Sequence, residues 1–289
     1  MRSSIRSQLI KHPVINPYKV FRAGFFRTIT NPIRTLPDFL IIGAPKCGTT
    51  SVYDYLIKHP NIFPAKEKEV QFFNSDSNVG YRSYFPTVFT KYYKKSIQKQ
   101  FFITGESTPH YLYSDKAPER VKRLIPHAKL IIILRNPIDR SYSHYNFHVK
   151  NRNLKVSFEK CIQREMDQKR NPDNDSTKFE TVNEIIKSGS YPYLEDGIYV
   201  DKMEKWMEIF PQNQFLILEI NELKNPQKFF TKIFEFLQVL NHEIKNFDKK
   251  NVGKYEKMDN KTRDMLIEYF KPHNDRLYKF LGQKFDWDK

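Results

Sequence analysis

Residues 43–51 read GAPKCGTTS, between the apolar run DFLII and the stretch VYDYLIKH. Gly43 and Gly48 have the spacing of the glycines in the phosphate-binding loop G-x-x-x-x-G-K-[ST], but Thr49 stands where that loop has its lysine, and a lysine lies upstream instead, at Lys46. A glycine-bearing turn between a strand and a helix aims backbone N–H groups at one point, where the helix dipole also favours negative charge. Gly48 lets the backbone approach an anion, Cys47 sits inside the same cradle, and the hydroxyls of Thr49, Thr50 and Ser51 can donate further hydrogen bonds. The lysine missing after Gly48 is the one that reaches the β and γ phosphates of a nucleoside triphosphate, so the loop argues against a triphosphatase. Lys46 suits a single phosphate whose bridging oxygen becomes a leaving group. The same succession of strand, turn and amphipathic helix also occurs in α/β proteins that bind nothing there.

A second anion-binding device lies in LIIILRNPIDRSYSHYNF, residues 130–147. Arg135 ends an apolar run and Ser143 follows eight residues later, within a helical pattern. In open α/β sheets the ligand crevice lies beyond the carboxyl ends of the strands, so Arg135 is aimed where the first loop points. Two such devices on neighbouring strand ends imply a ligand with two separated phosphates.

The elements that must hold these groups show as short continuous apolar runs at FLIIG (39–43), KLIIILR (129–135) and FLILEI (215–220), with FFITGE (101–106) a weaker match. Strands buried on both faces read this way because helices cover each side of a parallel sheet. Helical patterns alternate with them: Val52, Tyr53, Leu56 and Ile57 form one stripe, and APERVKRLI (117–125) opens with a proline near a helix N-terminus. The class is α/β, with a mainly parallel central sheet flanked by helices. Residues 151–190 break the rhythm with a polar KRNPDNDSTK loop between helical pieces, and the last segment is helical again, with Met265, Leu266, Tyr269 and Phe270 on one face and Leu277, Phe280 and Leu281 on another before Gly282.

With these motifs placed, the sequence resembles the PAPS-dependent sulfotransferases. PKCGTTSV is similar to their 5′-phosphosulfate loop and LRNPIDRSYSHY to their 3′-phosphate motif, and KEKEVQFFN (66–74), GESTPHYLYSDKAPERV (105–121), GIYVDKMEKWMEIFP (197–211) and LGQKFDWDK (281–289) follow the pattern of sulfotransferase domains acting on heparan sulfate and of their microbial relatives. The resemblance implies a P-loop-like sulfotransferase fold over residues 37–289, preceded by a basic N-terminal arm over 1–36. It implies 3′-phosphoadenosine 5′-phosphosulfate (PAPS) as sulfuryl donor, with Lys46, Gly48, Thr49, Thr50 and Ser51 on the 5′-phosphosulfate and Arg135 with Ser143 on the 3′-phosphate. Gly253 and Lys254, in NVGKYEKMD, fall where the family has a basic glycine-containing loop over the nucleotide, although its longer disulfide-bearing insertion is absent here. In GESTPHYL, Ser107 stands where several heparan sulfate enzymes have a lysine.

Sulfuryl transfer needs nucleophile, sulfur and leaving oxygen in line, with the developing negative charge neutralised. Lys46 is the candidate for stabilising the leaving oxygen. Glu69 matches the family's catalytic glutamate, with Glu67 as fallback; taken alone, Glu69 also reads as a solvated acid among Lys66, Glu67 and Lys68, and a buried Phe72–Phe73 pair is what would fix its backbone beside the crevice. No metal is required, and the eight histidines, among them His59, His110 and His127, show no ligand spacing. Tyr111, Tyr113, Tyr145, Tyr199 and Trp206 could stack on a sugar or adenine, and equally could be core; His144 and His148 lie near the second motif.

A formal charge of +16, from 49 Lys and Arg against 33 Asp and Glu, favours an anionic partner without choosing among nucleotide, glycan, nucleic acid and membrane surface, and the resemblance implies a glycan or other anionic acceptor and no nucleic acid. The first 36 residues carry seven basic residues and three prolines, and read as a surface arm or as a contact for a membrane or polyanion. Two cysteines, Cys47 and Cys161, point to a reducing compartment. No run reaches the roughly 18 to 20 apolar residues of a transmembrane helix, so the expectation is a soluble, cytoplasmic protein in a microbial or viral setting. Two other readings stay open: a nucleotide or small-molecule kinase, and a non-catalytic polyanion-binding protein.

Overall fold

The computed structural model describes residues 29–74, 80–170, 181–244, 247 and 255–287. Five strands form one sheet: β1 (Phe39–Gly43), β2 (Ile62–Pro64), β3 (Ile103–Ser107), β4 (Lys129–Leu134) and β5 (Phe215–Glu219). Their order is β2-β3-β1-β4-β5, and every neighbouring pair is parallel. β1 occupies the centre, with Phe39 level with Gly105 on one side and Lys129 on the other. All of β1 and nearly all of β4 are buried, which explains why both read as unbroken apolar runs. Ile131, Ile132 and Ile133 are 0% exposed, and each such side chain contributes about 1.5–3 kcal/mol of burial. Gly105 is required where it stands, because a Cβ there would lie 2.5 Å from the Phe39 ring.

Helices separate the strands. These are α1 (Thr49–Leu56), α2 (Val88–Tyr92, continued by a π-turn over Tyr93–Ile97), α3 (Ala117–Leu124), α4 (Pro137–Arg152), α5 (Phe158–Arg170), α6 (Val182–Ser188), α7 (Tyr199–Ile209), α8 (Pro226–Leu237) and α9 (Asn260–Leu281). In α1, Val52, Tyr53 and Leu56 are buried and Ile57 is half-buried, as the stripe implies. α9 closes the molecule by packing against α7 and α4.

Several boundaries differ from the sequence reading. FFITGE contributes a strand only from Ile103, which then runs on through Ser107. FLILEI leaves the sheet after Glu219, whose side chain accepts from the Asn221 amide and turns the chain into a 3₁₀ segment. The three-residue β2 has too little apolar length to be seen in sequence. On α9, Leu266, Phe270 and Leu277 are buried, whereas Met265 and Phe280 face solvent, so the helix presents one narrow seam. Of the polar loop between α5 and α6, residues 171–180 lie outside the described residues.

The arm's last residues dock on the domain. Arg34 donates from Nη1 to the Phe85 carbonyl at 2.7 Å and forms an antiparallel bridge with Thr87, while the Thr35 amide donates to Pro86 O at 2.9 Å.

Candidate active site

The turn after β1 winds tightly because two of its residues adopt left-handed backbone: Lys46 with φ 68° and Gly48 with φ 79°. Alternating backbone of this kind makes a concave nest of N–H groups. Gly48 is the N-cap of α1 and supplies no side chain to cap the helix. A Cβ at Gly48 would stand 2.6 Å from Ile220 Cδ1, so the position is closed to larger residues on steric as well as conformational grounds. Thr49 and Ser51 are buried and Thr50 half-buried at this helix end. Cys47 is turned inward: its side chain is fully buried, its amide donates to Ala44 O at 3.2 Å, and its sulfur lies 3.8 Å from the Tyr199 hydroxyl. Burial pushes the Cys47 thiol up to about 11, so it stays protonated and serves as a plug beneath the loop.

Arg135 emerges from β4, the strand beside β1, and its Nη1 donates to the Lys46 carbonyl at 3.4 Å. The two devices that the sequence places 89 residues apart therefore share one crevice. The Arg135 carbonyl is held by the Tyr199 hydroxyl at 2.9 Å. Ser143 lies half-buried on α4, while Ser141, the other serine of the motif, is consumed internally by donating to Pro137 O and Tyr193 O, each at 2.7 Å.

The Lys46 ammonium sits 4.1 Å from the centre of the Phe147 ring. Burial, then the positive charges of Arg140 and Arg135, lower its pKa below the ordinary lysine value, and Glu69 acts in the opposite sense. Three cations thus lie within electrostatic reach of one another around this loop.

Arg140 is the residue that sequence reasoning missed. Its side chain is 0% exposed and donates to Pro45 O at 3.3 Å, Tyr193 O at 3.1 Å and Asp196 Oδ2 at 2.8 Å. A further 3.0 Å contact reaches His144 Nδ1, and burial with the Arg140 charge lowers the His144 pKa, which makes that nitrogen a neutral acceptor. The guanidinium ties the back of the phosphate-type loop to α4 and to residues 193–196. Its only sequence signal is the i, i+4 spacing from His144.

Glu69 stands on the loop after β2 with φ 51°, exposed, and within electrostatic reach of Lys46 and His110. The loop is anchored by Glu106, a carboxylate at 0% exposure near the end of β3. Glu106 accepts from the hydroxyls of Tyr81 at 2.6 Å, Thr108 at 2.6 Å and Tyr111 at 3.0 Å, and from the backbone of Val70, next to Glu69. Of the Phe72–Phe73 pair only Phe73 is buried; Phe72 is half-buried, and both pack on Tyr81. Glu67 is exposed on the same loop. Ser107 lies buried at the end of β3.

Of the aromatic candidates, Tyr111, Tyr199 and Trp206 are core residues, at most 2% exposed, and offer no stacking face. Tyr113 is tied to Asp196 O at 2.7 Å and Tyr145 to Val156 O at 3.0 Å. His148 is buried, and burial followed by the Arg152 and Lys46 charges lowers its pKa to about 4. Gly253 and Lys254 lie outside the described residues; Tyr255 packs edge-on against Tyr142, one residue from Ser143.

Comparison with known proteins agrees with this geometry. The sulfotransferase domain family matches residues 36–288. The chain is 27% identical over 319 residues to the membrane-associated sulfotransferase kil1 of Dictyostelium discoideum, across 87% of this chain and 66% of that protein. It is 31% identical over 282 residues to bifunctional heparan sulfate N-deacetylase/N-sulfotransferase 3 of Homo sapiens, across 85% of this chain but 30% of that protein. Among solved structures, a sulfotransferase from Alicyclobacillus acidocaldarius aligns with a TM-score of 0.67 over 88% of this chain and 100% of that one, at 24% identity, a likeness of fold. A family match over nearly the whole chain, on a parallel sheet whose two central strands deliver Lys46 and Arg135 to one crevice, makes this protein a member of the sulfotransferase domain family.

Proposed function

We propose that the protein transfers a sulfuryl group from PAPS to a hydroxyl or amine of a carbohydrate acceptor. The observation that carries this reading is the convergence of the Lys46 loop with Arg135, which gives one crevice two separate anion grips. The uncapped N-terminus of α1 and the crowded cations beside it fit a ligand bearing two phosphates. When bound, PAPS supplies an activated sulfuryl group on a phosphate leaving group.

The chain's own residues do the rest. The first-turn amides of α1 and the hydroxyls of Thr49, Thr50 and Ser51 bind the 5′ end, and Arg135 with Ser143 binds the 3′-phosphate. Lys46 neutralises charge on the leaving oxygen. Glu69 receives the acceptor proton, late and at short range. A carbohydrate acceptor is supported by the N-sulfotransferase relative. A reducing, cytoplasmic setting suits two free, buried cysteines.

The test is a transfer assay with labelled PAPS across glycans, phenols and lipids, with and without EDTA. Labelled glycan formed equally in both conditions, and tighter binding of 3′,5′-ADP than of ATP, are the expected results. Turnover that requires a metal and ATP would sink the proposal in favour of a kinase.

A further inference from the structure

We propose that the surface built by α2, its π-turn and the neighbouring end of the N-terminal arm docks on an anionic lipid bilayer. The inference is independent of the transfer chemistry.

Charge in this chain is concentrated to an unusual degree. Residues 1–37 hold seven Lys and Arg and no acid, and residues 77–105 hold five and no acid, so these two stretches account for twelve of the sixteen net positive charges. The fold sets the described end of the first stretch beside the second: Arg82 Nη1 donates to Arg34 O at 2.8 Å, and Arg34 bridges Thr87.

The same surface exposes large apolar side chains in a contiguous stretch of chain. Phe89 is 67% exposed, Tyr92 64%, Ile97 60% and Tyr93 51%, with Ile29 at 60% on the adjoining arm. Lys91, Lys94, Lys95 and Lys99 are interleaved with them. The Lys95 ammonium lies 5.6 Å from the Phe101 ring and that of Lys94 5.7 Å from the Phe63 ring, so their stems run along apolar surface as at a membrane interface.

Charge complementarity selects the occupant. The arm itself cannot be the natural cover, since residues 1–28 add six positive charges and no negative one to a face already bearing four lysines. An acidic polymer in water would satisfy the lysines and leave Phe89 and Ile97 without apolar contact. A bilayer with anionic headgroups satisfies both, and lysines rather than arginines suit attraction without bidentate recognition. The patch precedes β3 and so lies at the amino ends of the parallel strands, whereas Lys46 and Arg135 follow the carboxyl ends of β1 and β4. Docking there leaves the crevice facing away from the lipid.

The experiment is co-sedimentation of the full chain with phosphatidylcholine vesicles, with and without phosphatidylserine. The unaltered chain is expected to pellet with the mixed vesicles at low salt, to be released at high salt and to ignore the neutral ones. Phe89→Ser/Ile97→Ser and Lys94→Glu/Lys95→Glu double variants should each bind at least about tenfold more weakly. Phe89→Trp supplies a second readout, because Trp206 and Trp287 are both buried: its emission should shift to the blue on mixed vesicles and not with heparin. No binding to mixed vesicles, binding unchanged in both double variants, or loss in the lysine variant alone with no shift at Trp, would each overturn the proposal, the last in favour of a soluble polyanion.

Discussion

At the scale of single residues, Lys46 is the most informative position. Lys46→Ala is expected to lower kcat by about 10²–10³-fold while leaving the thermal midpoint unchanged, the magnitude for removing one charge-stabilising donor from a closed site. Because burial and two guanidinium neighbours lower the Lys46 pKa, affinity for 3′,5′-ADP should decline as pH rises through that lowered value, at a pH below the ordinary lysine range, and calorimetric titration across the alkaline range measures it. Glu106 is a positioning residue for Glu69. Glu106→Gln leaves a donor where three hydroxyls and one amide converge, so kcat should fall with little change in the affinity for 3′,5′-ADP, and Glu106→Asp should restore part of the rate. The sequence made Lys46, Arg135 and Glu69 legible because motif spacing and resemblance name them. It hid Arg140 and Glu106, whose importance comes from partners far along the chain: Tyr193 and Asp196 for one, Tyr81 and Val70 for the other.

At the scale of elements, residues 193–196 are held by two buried polar side chains, Arg140 and Glu165. Removing the Arg140 guanidinium takes the buried cation from Asp196 and one donor from each of three carbonyl or imidazole acceptors, so Arg140→Ala should cost about 3–5 kcal/mol in denaturant unfolding, well beyond a surface change. Glu165, on α5, accepts from the Leu194 and Glu195 amides at 2.8 and 2.7 Å, yet burial outweighs those bonds and raises its pKa to about 7. A carboxyl that titrates at about 7 when folded and near the ordinary 4.5 when unfolded binds more protons in the fold. Its contribution is therefore greatest below the unfolded pKa and is lost as pH rises towards 7. The expected outcome is that Glu165→Gln flattens the decline in stability between those two pH values. Among the elements, β1 and β4 could be read from sequence because both faces are covered, so their apolar run is unbroken. β2 could not, since Pro64 ends it after three residues, and the Met265 and Phe280 positions on α9 misled because helical spacing alone does not say which side meets the core.

At the scale of the whole molecule, binding and folding are linked. A ligand that joins the loop after β1 to the start of α4 should stabilise the entire domain by mass action, about 2.7 kcal/mol at a hundredfold excess over its Kd, and a scan of thermal midpoint against 3′,5′-ADP concentration measures this. ATP should act more weakly at equal concentration. The apolar sheet that makes this linkage possible also divides the surface in two, with the loops of Lys46 and Arg135 at the carboxyl edge and the lysines of α2 and its π-turn towards the amino edge.

The central place of β1 next to β4 carries one more implication. The two phosphate-type loops leave neighbouring paired strands, roughly 4.8 Å apart, and that gauge between their roots is built into the backbone pairing itself. Peripheral loops can therefore lengthen, fray or change partner without altering that gauge, and donor recognition should survive warming until the ladder itself comes apart.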